Sequence, residues 1–179
     1  MNHRPITESV QNHPGFLTRL YIETVLRSVA EQAKPKNNET VLDYGCSTKR
    51  LKKYLNPKCT YIGYDKKADY TETKSIEKIN PDIVIASHVL EHLTKTELNW
   101  FLDYCERKKV QRLVIALPLE NRLSSLLGWV AGTRFVNAIQ HEQDWRTIMK
   151  QVGKRFENTK ITTVLFLTII STWKRPGFE

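Results

Sequence analysis

The feature that most constrains the fold is a series of short apolar segments that alternate with polar loops and helical segments from Thr40 onward. Each apolar segment has the length and composition of a strand buried in a sheet. The predicted strands are Thr40–Tyr44, Thr60–Tyr64, Ile83–Ser87, Arg112–Leu117, Thr159–Phe166 and Thr168–Trp173. This alternation is typical of a doubly wound α/β fold, in which helices cover both faces of a mostly parallel sheet.

Helices are predicted before and between these strands from apolar residues that recur at helical spacing. The predicted helices are Gly15–Ala33, Arg50–Leu55, Lys95–Lys108 and Asp144–Val152. A chain of 179 residues has the size of one ordinary domain. We therefore expect a single domain over residues 1–179, with an N-terminal helical segment in residues 1–39 and the α/β core in residues 40–179.

Cysteine content and hydropathy bear on the compartment. The three cysteines are widely spaced and form no CxxC pair, which disfavours a disulfide framework or a zinc ribbon. The first 15 residues lack the apolar core of a secretory signal. The longest apolar stretches, Leu123–Ala131 and Ile161–Ile170, are shorter than the roughly 20 residues of a membrane span. We expect a cytoplasmic protein.

The net charge of +9 favours anionic partners such as nucleic acid, anionic lipid or phosphorylated small molecules. The basic residues are scattered along the chain and do not form a long tail. A soluble, self-repelling surface explains the charge equally well. The charge therefore leaves the class of partner open.

The residues that directly follow the strands are the candidates for function, because ligands of such sheets bind beyond the carboxyl ends of the strands. Gly45 follows the first strand in a turn where a backbone without Cβ can approach a ligand closely. Asp65 follows the second strand, 20 residues later, where an acid can accept hydrogen bonds from both ribose hydroxyls. The alternative for Asp65 is a solvated loop carboxylate.

A third cluster follows the strand Ile83–Ser87. His88, Glu91 and His92 are spaced i, i+3, i+4, so a helical turn would place them on one face.

These segments together resemble the class I S-adenosylmethionine-dependent methyltransferases, most closely the subfamilies with a VLEHL signature. The matching segments are Val41–Cys46, Tyr61–Asp65 and Asp82–Leu93, the last of which contains SHVLEHL. The resemblance implies a seven-stranded Rossmann-like sheet, S-adenosylmethionine as cofactor and methyl transfer as the reaction.

The resemblance also implies roles for individual residues. Asp43, Gly45 and Cys46 would contact the methionine end of the cofactor, and Asp65 would hold the ribose. Ser87 and His88 would lie beside the sulfonium and the incoming substrate. His88 is the predicted general base, because histidine titrates near neutrality; His92 and His141 are further candidates.

The chain departs from the family pattern in two places. Ser47 and Lys49 stand where the family has glycines, although Lys49 could offer a positive charge to the carboxylate of the cofactor. The linker from Lys66 to Pro81 is short for a full helix and strand, so the third strand could be reduced to Ala68–Thr71, with Glu72 as a candidate for the adenine amino group.

A metal site is the less favoured alternative at the histidine cluster. Some relatives that modify RNA ends or quinone precursors bind a divalent metal near this Glu-His pair and have Glu in place of His88. His88, Glu91, His92 and His141 would form a nitrogen and oxygen site suited to a transition metal. Our prediction is that no metal is bound.

The methyl acceptor is predicted from Leu123–Val136, which follows the last inner strand and is mostly apolar. Such a segment could form a lid, an apolar substrate wall or a helix at a membrane surface, or it could pack in the core. We expect a small or lipid-linked acceptor, with peripheral membrane contact as a possibility. The alternatives are an RNA methyltransferase and a non-catalytic relative that retains the fold. The sequence predicts no oligomeric state.

Overall fold

The protein is described by a computed structural model over residues 16–73, 75–119 and 142–177. Six strands in these residues form one sheet: β1 (Thr40–Tyr44), β2 (Thr60–Tyr64), β3 (Ile83–Ser87), β4 (Arg112–Pro118), β5 (Glu157–Val164) and β6 (Thr168–Lys174). The α-helices are α1 (Phe16–Ala33), α2 (Lys95–Arg107) and α3 (Trp145–Val152). Short 3-10 helices cover Arg50–Tyr54, Ile76–Lys78 and Leu90–His92.

The sheet has the strand order β2-β1-β3-β4-β6-β5, and β1 to β4 pair in parallel. β6 runs antiparallel to both β4 and β5, and its first residue, Thr168, pairs with Pro118 at the end of β4. The carboxyl ends of β1 to β4 and the start of β6 therefore lie at one edge of the sheet. The prediction of a mostly parallel α/β sheet is confirmed.

The predicted seventh strand is not confirmed, because the described residues contribute six strands to the sheet. The reduced strand predicted at Ala68–Thr71 is not a strand in the structure, where Ala68–Tyr70 forms a turn. The outer edge of β2 is covered at one point by Glu72, whose N–H donates to the Gly63 carbonyl at 2.8 Å. The Glu72 carboxylate accepts the Gly63 N–H, also at 2.8 Å. In the short linker from Lys66 to Pro81, these two hydrogen bonds take the place of a paired strand.

Two apolar clusters lie on opposite faces of the sheet, as the alternation of neighbouring strand residues requires. Leu42 packs in the cluster with α2 and α3, and Val41 packs in the cluster with α1 and the 3-10 helix Arg50–Tyr54. Helices on both faces confirm the predicted doubly wound arrangement.

Local hydrogen bonds fix the residues at which α2 and α3 begin. Thr94 and Glu97 form a reciprocal capping box at the start of α2. Asp144 caps the start of α3, because its carboxylate accepts the N–H groups of Arg146 and Thr147 at 2.9 and 3.1 Å.

The turn between β5 and β6 is formed by Leu165 and Phe166, both in the left-handed region with φ of 50° and 56°. The Leu167 N–H donates to the Val164 carbonyl at 3.0 Å, which closes the hairpin. Because the turn lies here, β5 ends at Val164 and not at the predicted Phe166.

No helix in the described part of the chain has the length and apolar character needed to cross a membrane. All three cysteines, which the structure describes, are free thiols.

Candidate cofactor and acceptor site

Gly45 makes the sharp turn at the carboxyl end of β1. It has a φ of +78°, and a Cβ at this position would lie 2.5 Å from Cγ2 of Val89, in the loop after β3. The N–H groups of Gly45 and Cys46 both donate to the Tyr64 carbonyl, at 2.7 and 3.0 Å. Only glycine fits here, and its turn brings together the loops that follow β1, β2 and β3.

The loop after Gly45 retains a glycine-like backbone at residues that are not glycine. Ser47 and Lys49 have φ values of 43° and 57°, so every second residue from 45 to 49 is left-handed. Side chains rarely adopt this conformation, which costs roughly 1–2 kcal/mol per residue. At these two positions, where the sequence resemblance implies glycines, the backbone has the left-handed conformation that glycine readily adopts.

Asp65 is fixed between two backbone donors at the end of β2. Its Oδ2 accepts the Ser47 N–H and its Oδ1 accepts the Lys67 N–H, both at 2.9 Å. A carboxylate has about four lone-pair positions, and the N–H groups of Ser47 and Lys67 use two of those on Asp65. The other two can accept hydrogen bonds from a ligand. The arrangement suits two neighbouring hydroxyl donors.

Asp43 is the buried acid of the site, with 3% of its surface exposed. Its Oδ2 accepts a hydrogen bond of 2.7 Å from the phenol of Tyr61 on β2. Burial raises the pKa of Asp43 to about 7, although the bond from Tyr61 opposes the shift and the charges of Asp65 and Glu72 add to it. The carboxyl group therefore titrates near neutrality.

The Cys46 thiol packs into the protein. Its Sγ would lie 2.9 Å from a Cβ at Gly63 and is 3.4 Å from the Tyr70 carbonyl. Burial raises the pKa of this thiol to about 12, so the thiol is neutral at physiological pH. The Cys46 side chain is thus turned toward β2 and the turn at Tyr70.

Glu72 is already engaged by protein groups. Besides accepting the Gly63 N–H, its carboxylate lies 3.6 Å from the Lys49 ammonium and 3.8 Å from that of Lys52. These contacts compete with the predicted role toward adenine.

His88 follows β3 with a φ of 54°, and its N–H donates to the Ala116 carbonyl of β4 at 2.9 Å. Its Nε2 lies 3.2 Å from the Thr168 hydroxyl, and its Nδ1 lies 3.7 Å from the buried carboxylate of Glu91. Ser87, half-buried, is the last residue of β3. The structure thus places both predicted residues at the same edge as Gly45.

The predicted histidine cluster is brought together only in part. His92 lies 4.0 Å from Glu91 through its Nε2, and its side chain is 43% exposed. Within residues 16–73, 75–119 and 142–177, no group of three histidine, cysteine, aspartate or glutamate residues could hold a metal ion. His141 and the apolar segment Leu123–Val136 lie outside the described residues.

Exposed apolar side chains lie around this edge. The carbonyl of Ala33, at the end of α1, accepts a bond from Arg112 at the start of β4, and Tyr21 contacts Thr168 at the start of β6. α1 therefore begins at the carboxyl edge, and Phe16 and Leu20 on its first turns are 79% and 52% exposed. Leu165 in the β5–β6 turn, at the same edge, is 57% exposed.

Three residues that sequence reasoning missed belong to this region: Tyr61, Tyr21 and Thr168. Tyr61 could have been found from the strand pattern. Asp43 pairs with Gly63 in the neighbouring strand, and Tyr61 lies two residues before Gly63, on the same face of that strand. Tyr21 and Thr168 are 147 residues apart, and only the insertion of β6 beside β4 brings them to His88.

No protein-family model and no curated protein matches this chain. Solved structures match along most of its length, among them the N-methyltransferase NodS of Bradyrhizobium japonicum, with 11% identity and a TM-score of 0.61 over 87% of this chain and 97% of that one. The chain has the class I methyltransferase fold.

Two further neighbours extend this comparison. The magnesium protoporphyrin IX methyltransferase of Synechocystis, solved with S-adenosylhomocysteine (SAH), is 16% identical over 91% of this chain and 89% of that one, with a TM-score of 0.54. The small RNA methyltransferase HEN1 is 17% identical, with a TM-score of 0.59 over 89% of this chain and 25% of that one. The class I methyltransferase fold is therefore shared by proteins named for small molecules and for RNA.

Proposed function

We propose that this protein is an S-adenosylmethionine-dependent methyltransferase that methylates oxygen or nitrogen of a small or lipid-linked molecule. The observation that carries the proposal is the loop of alternating left-handed residues 45, 47 and 49, tied through the Ser47 N–H to the carboxylate of Asp65. The class I methyltransferase fold supports it.

The residues of the site fit the cofactor. Asp65 would hold the ribose hydroxyls with its remaining lone pairs. The turn at Gly45 would lie along the methionine portion. The Lys49 ammonium, which lies 3.6 Å from the Glu72 carboxylate, would have to turn away from Glu72 to pair with the carboxylate of the cofactor. The cofactor supplies a methyl group on a sulfonium, which is already an excellent leaving group. The work left to the protein is alignment, which can contribute about 7–11 kcal/mol.

His88 is the group we assign to removing a proton from the acceptor, and Ser87 borders the same space. Glu91, buried beside Nδ1, favours a proton on that nitrogen and stabilises the imidazolium that forms when Nε2 accepts one. An acceptor oxygen or nitrogen needs this help only when it carries a proton that must leave.

The lipid-linked or apolar acceptor is supported by the exposed residues Phe16, Leu20 and Leu165 around the carboxyl edge. Such residues can line the approach of an apolar substrate and exclude water from it. The competing proposal is an RNA acceptor, favoured by the net charge of +9 and by the similarity to HEN1.

Calorimetry with SAH tests cofactor binding. Asp65→Ala should weaken the affinity by about 10- to 150-fold, because it removes charge-assisted hydrogen bonds. Asp69→Ala, in the exposed turn four residues on, is the matched control and should leave the affinity unchanged. Circular dichroism has to show that both variants are folded. No binding of SAH by the wild-type protein would refute the proposal.

The acceptor class is tested with methyl-labelled cofactor added to a cell extract. The products are separated into lipid, water-soluble small molecules and RNA. Label in the lipid or small-molecule fraction is expected, and Asp65→Ala should abolish it. Label confined to RNA would replace the proposed acceptor and leave the methyltransferase assignment intact.

A further inference from the structure

A line of side chains connects α1 to the loop after β3. The phenol of Tyr21 is in direct hydrogen-bond contact with the Thr168 hydroxyl. The same hydroxyl lies 3.2 Å from Nε2 of His88. Nδ1 of His88 lies 3.7 Å from the Glu91 carboxylate. Thr168 is fully buried and Glu91 is 3% exposed, so the centre of the line is shielded from water.

The chemistry of the groups sets the direction of these bonds. The buried carboxylate of Glu91 favours the tautomer of His88 with its proton on Nδ1. Nε2 is then an acceptor, and Thr168 must donate to it. The Thr168 oxygen can in turn accept from the Tyr21 phenol. Burial raises the pKa of Tyr21, with a smaller contribution from the charge of Glu91, so the phenol holds its proton and remains a donor.

We propose that Tyr21, Thr168 and His88 form a proton relay in which the Tyr21 phenol faces the methyl acceptor and His88 stores the proton. This inference rests on the proposed function. The acceptor proton passes to the Tyr21 oxygen while the phenol proton moves to Thr168 and the Thr168 proton moves to Nε2. Each hydroxyl gains one proton and loses one, and the displaced proton resides on His88 as an imidazolium beside Glu91.

The relay explains why the ring nitrogen of His88 that would act as the base is turned toward a buried hydroxyl. Among the residues that the structure describes, Glu91 lies directly beside His88, His92 lies beside Glu91, and Tyr21 of α1 reaches His88 through Thr168. Tyr21 is only partly buried, so one end of the line reaches the edge of the sheet. In this assignment Tyr21 touches the substrate, and Thr168 is a positioning residue.

Thr168→Val tests the relay, because valine keeps the shape and removes the hydroxyl. The matched control is Thr172→Val on the same strand, which breaks the equivalent bond from Thr172 to Gln32 of α1 at 2.8 Å. We expect Thr168→Val and Tyr21→Phe to lower kcat by at least tenfold with unchanged SAH affinity, and to remove the dependence of kcat on the protonation of His88. Thr168→Ser should restore both, and Thr172→Val should change neither.

A second measurement needs no turnover. Long-range proton–nitrogen NMR of the histidine rings should show His88 with its proton on Nδ1, and Thr168→Val should shift the Nε2 resonance while Thr172→Val leaves it in place. A proton on Nε2 in the wild type would overturn the relay. So would full kcat in Thr168→Val, and in that case the methyltransferase assignment would stand. Absence of methyl transfer in the wild type would instead refute the proposed function, whatever the NMR result.

Discussion

At the scale of single residues, the site contains backbone conformations that residues with side chains rarely adopt. Ser47, Lys49 and His88 are all left-handed, and all follow strands at the carboxyl edge. Such residues cost of order 1–3 kcal/mol each and persist where the surrounding structure fixes them. The rest of the fold has to offset this cost, as expected for a loop that is held in one conformation to bind a ligand.

Gly45→Ala should test how much this shape depends on glycine. Alanine at this position would have to adopt a left-handed backbone conformation, and its Cβ would overlap Val89. We therefore expect a loss of about 2–4 kcal/mol in the free energy of unfolding. Gly177 has a similar φ of +74°, but a Cβ added there would meet nothing within 4 Å, so Gly177→Ala should cost only the roughly 1–2 kcal/mol of the left-handed backbone. Urea denaturation measures both, and equal losses would contradict the close approach to Val89.

Asp43 should make stability depend on pH. Its pKa is about 7 in the folded protein and near 4 when unfolded, so the folded state holds a proton that the unfolded state has released. Its contribution to stability is therefore complete below pH 4 and is lost as the pH rises to about 7, by up to about 4 kcal/mol. Asp43→Asn keeps an acceptor for Tyr61 and cannot ionise.

The measurement is the difference in unfolding free energy between wild type and Asp43→Asn from pH 4 to pH 8. This difference should shift in favour of the variant up to about pH 7 and then level off. Tyr61→Phe removes the bond that opposes the shift and should extend the dependence to higher pH. A difference that does not vary with pH would contradict the buried, protonated state.

At the scale of elements, the parallel strands were predictable from the sequence, and the turn of the β5–β6 hairpin was not. β1, β2 and β3 begin and end at the predicted residues. β1 and β3 are central parallel strands, and such strands appear as short apolar runs because they are buried on both faces. β2 lies at the edge of the sheet and is only partly buried. The turn at Leu165 and Phe166 has no glycine or asparagine to mark it. The site divides in the same way: Gly45 and Asp65 follow strands directly, whereas the contact from Tyr21 to Thr168 depends on how β6 enters the sheet.

Glu72 should be the residue that closes the outer edge of β2. Glu72→Ala leaves the buried Gly63 N–H without its acceptor, at a cost of about 1–3 kcal/mol, and Glu72→Gln retains a carbonyl oxygen for it. We expect the Gly63 amide to exchange hydrogen at least tenfold faster in Glu72→Ala and near the wild-type rate in Glu72→Gln. Fast exchange of this amide in the wild type would show that the hydrogen bond from the Gly63 N–H to Glu72 does not form.

At the scale of the whole molecule, two surface properties point to different partners. The net charge of +9 attracts any polyanion, and this attraction weakens as salt screens it. The apolar residues at the carboxyl edge act through burial, which salt does not screen. Salt dependence therefore separates an electrostatic association from one that uses the exposed apolar residues at the carboxyl edge.

Binding to a polyuridine oligomer and to vesicles of phosphatidylcholine with one-third phosphatidylglycerol should respond differently to salt. We expect RNA binding to fall steeply with the logarithm of salt concentration and vesicle binding to retain a salt-resistant part. Leu20→Ser with Leu165→Asn should remove that part, and asparagine also tolerates the left-handed turn. Trp100→Gln is the control, because Trp100 is 41% exposed on α2, on the opposite face of the sheet from α1. Sub-micromolar RNA binding at physiological salt, with vesicle binding unchanged in the double variant, would favour the RNA acceptor.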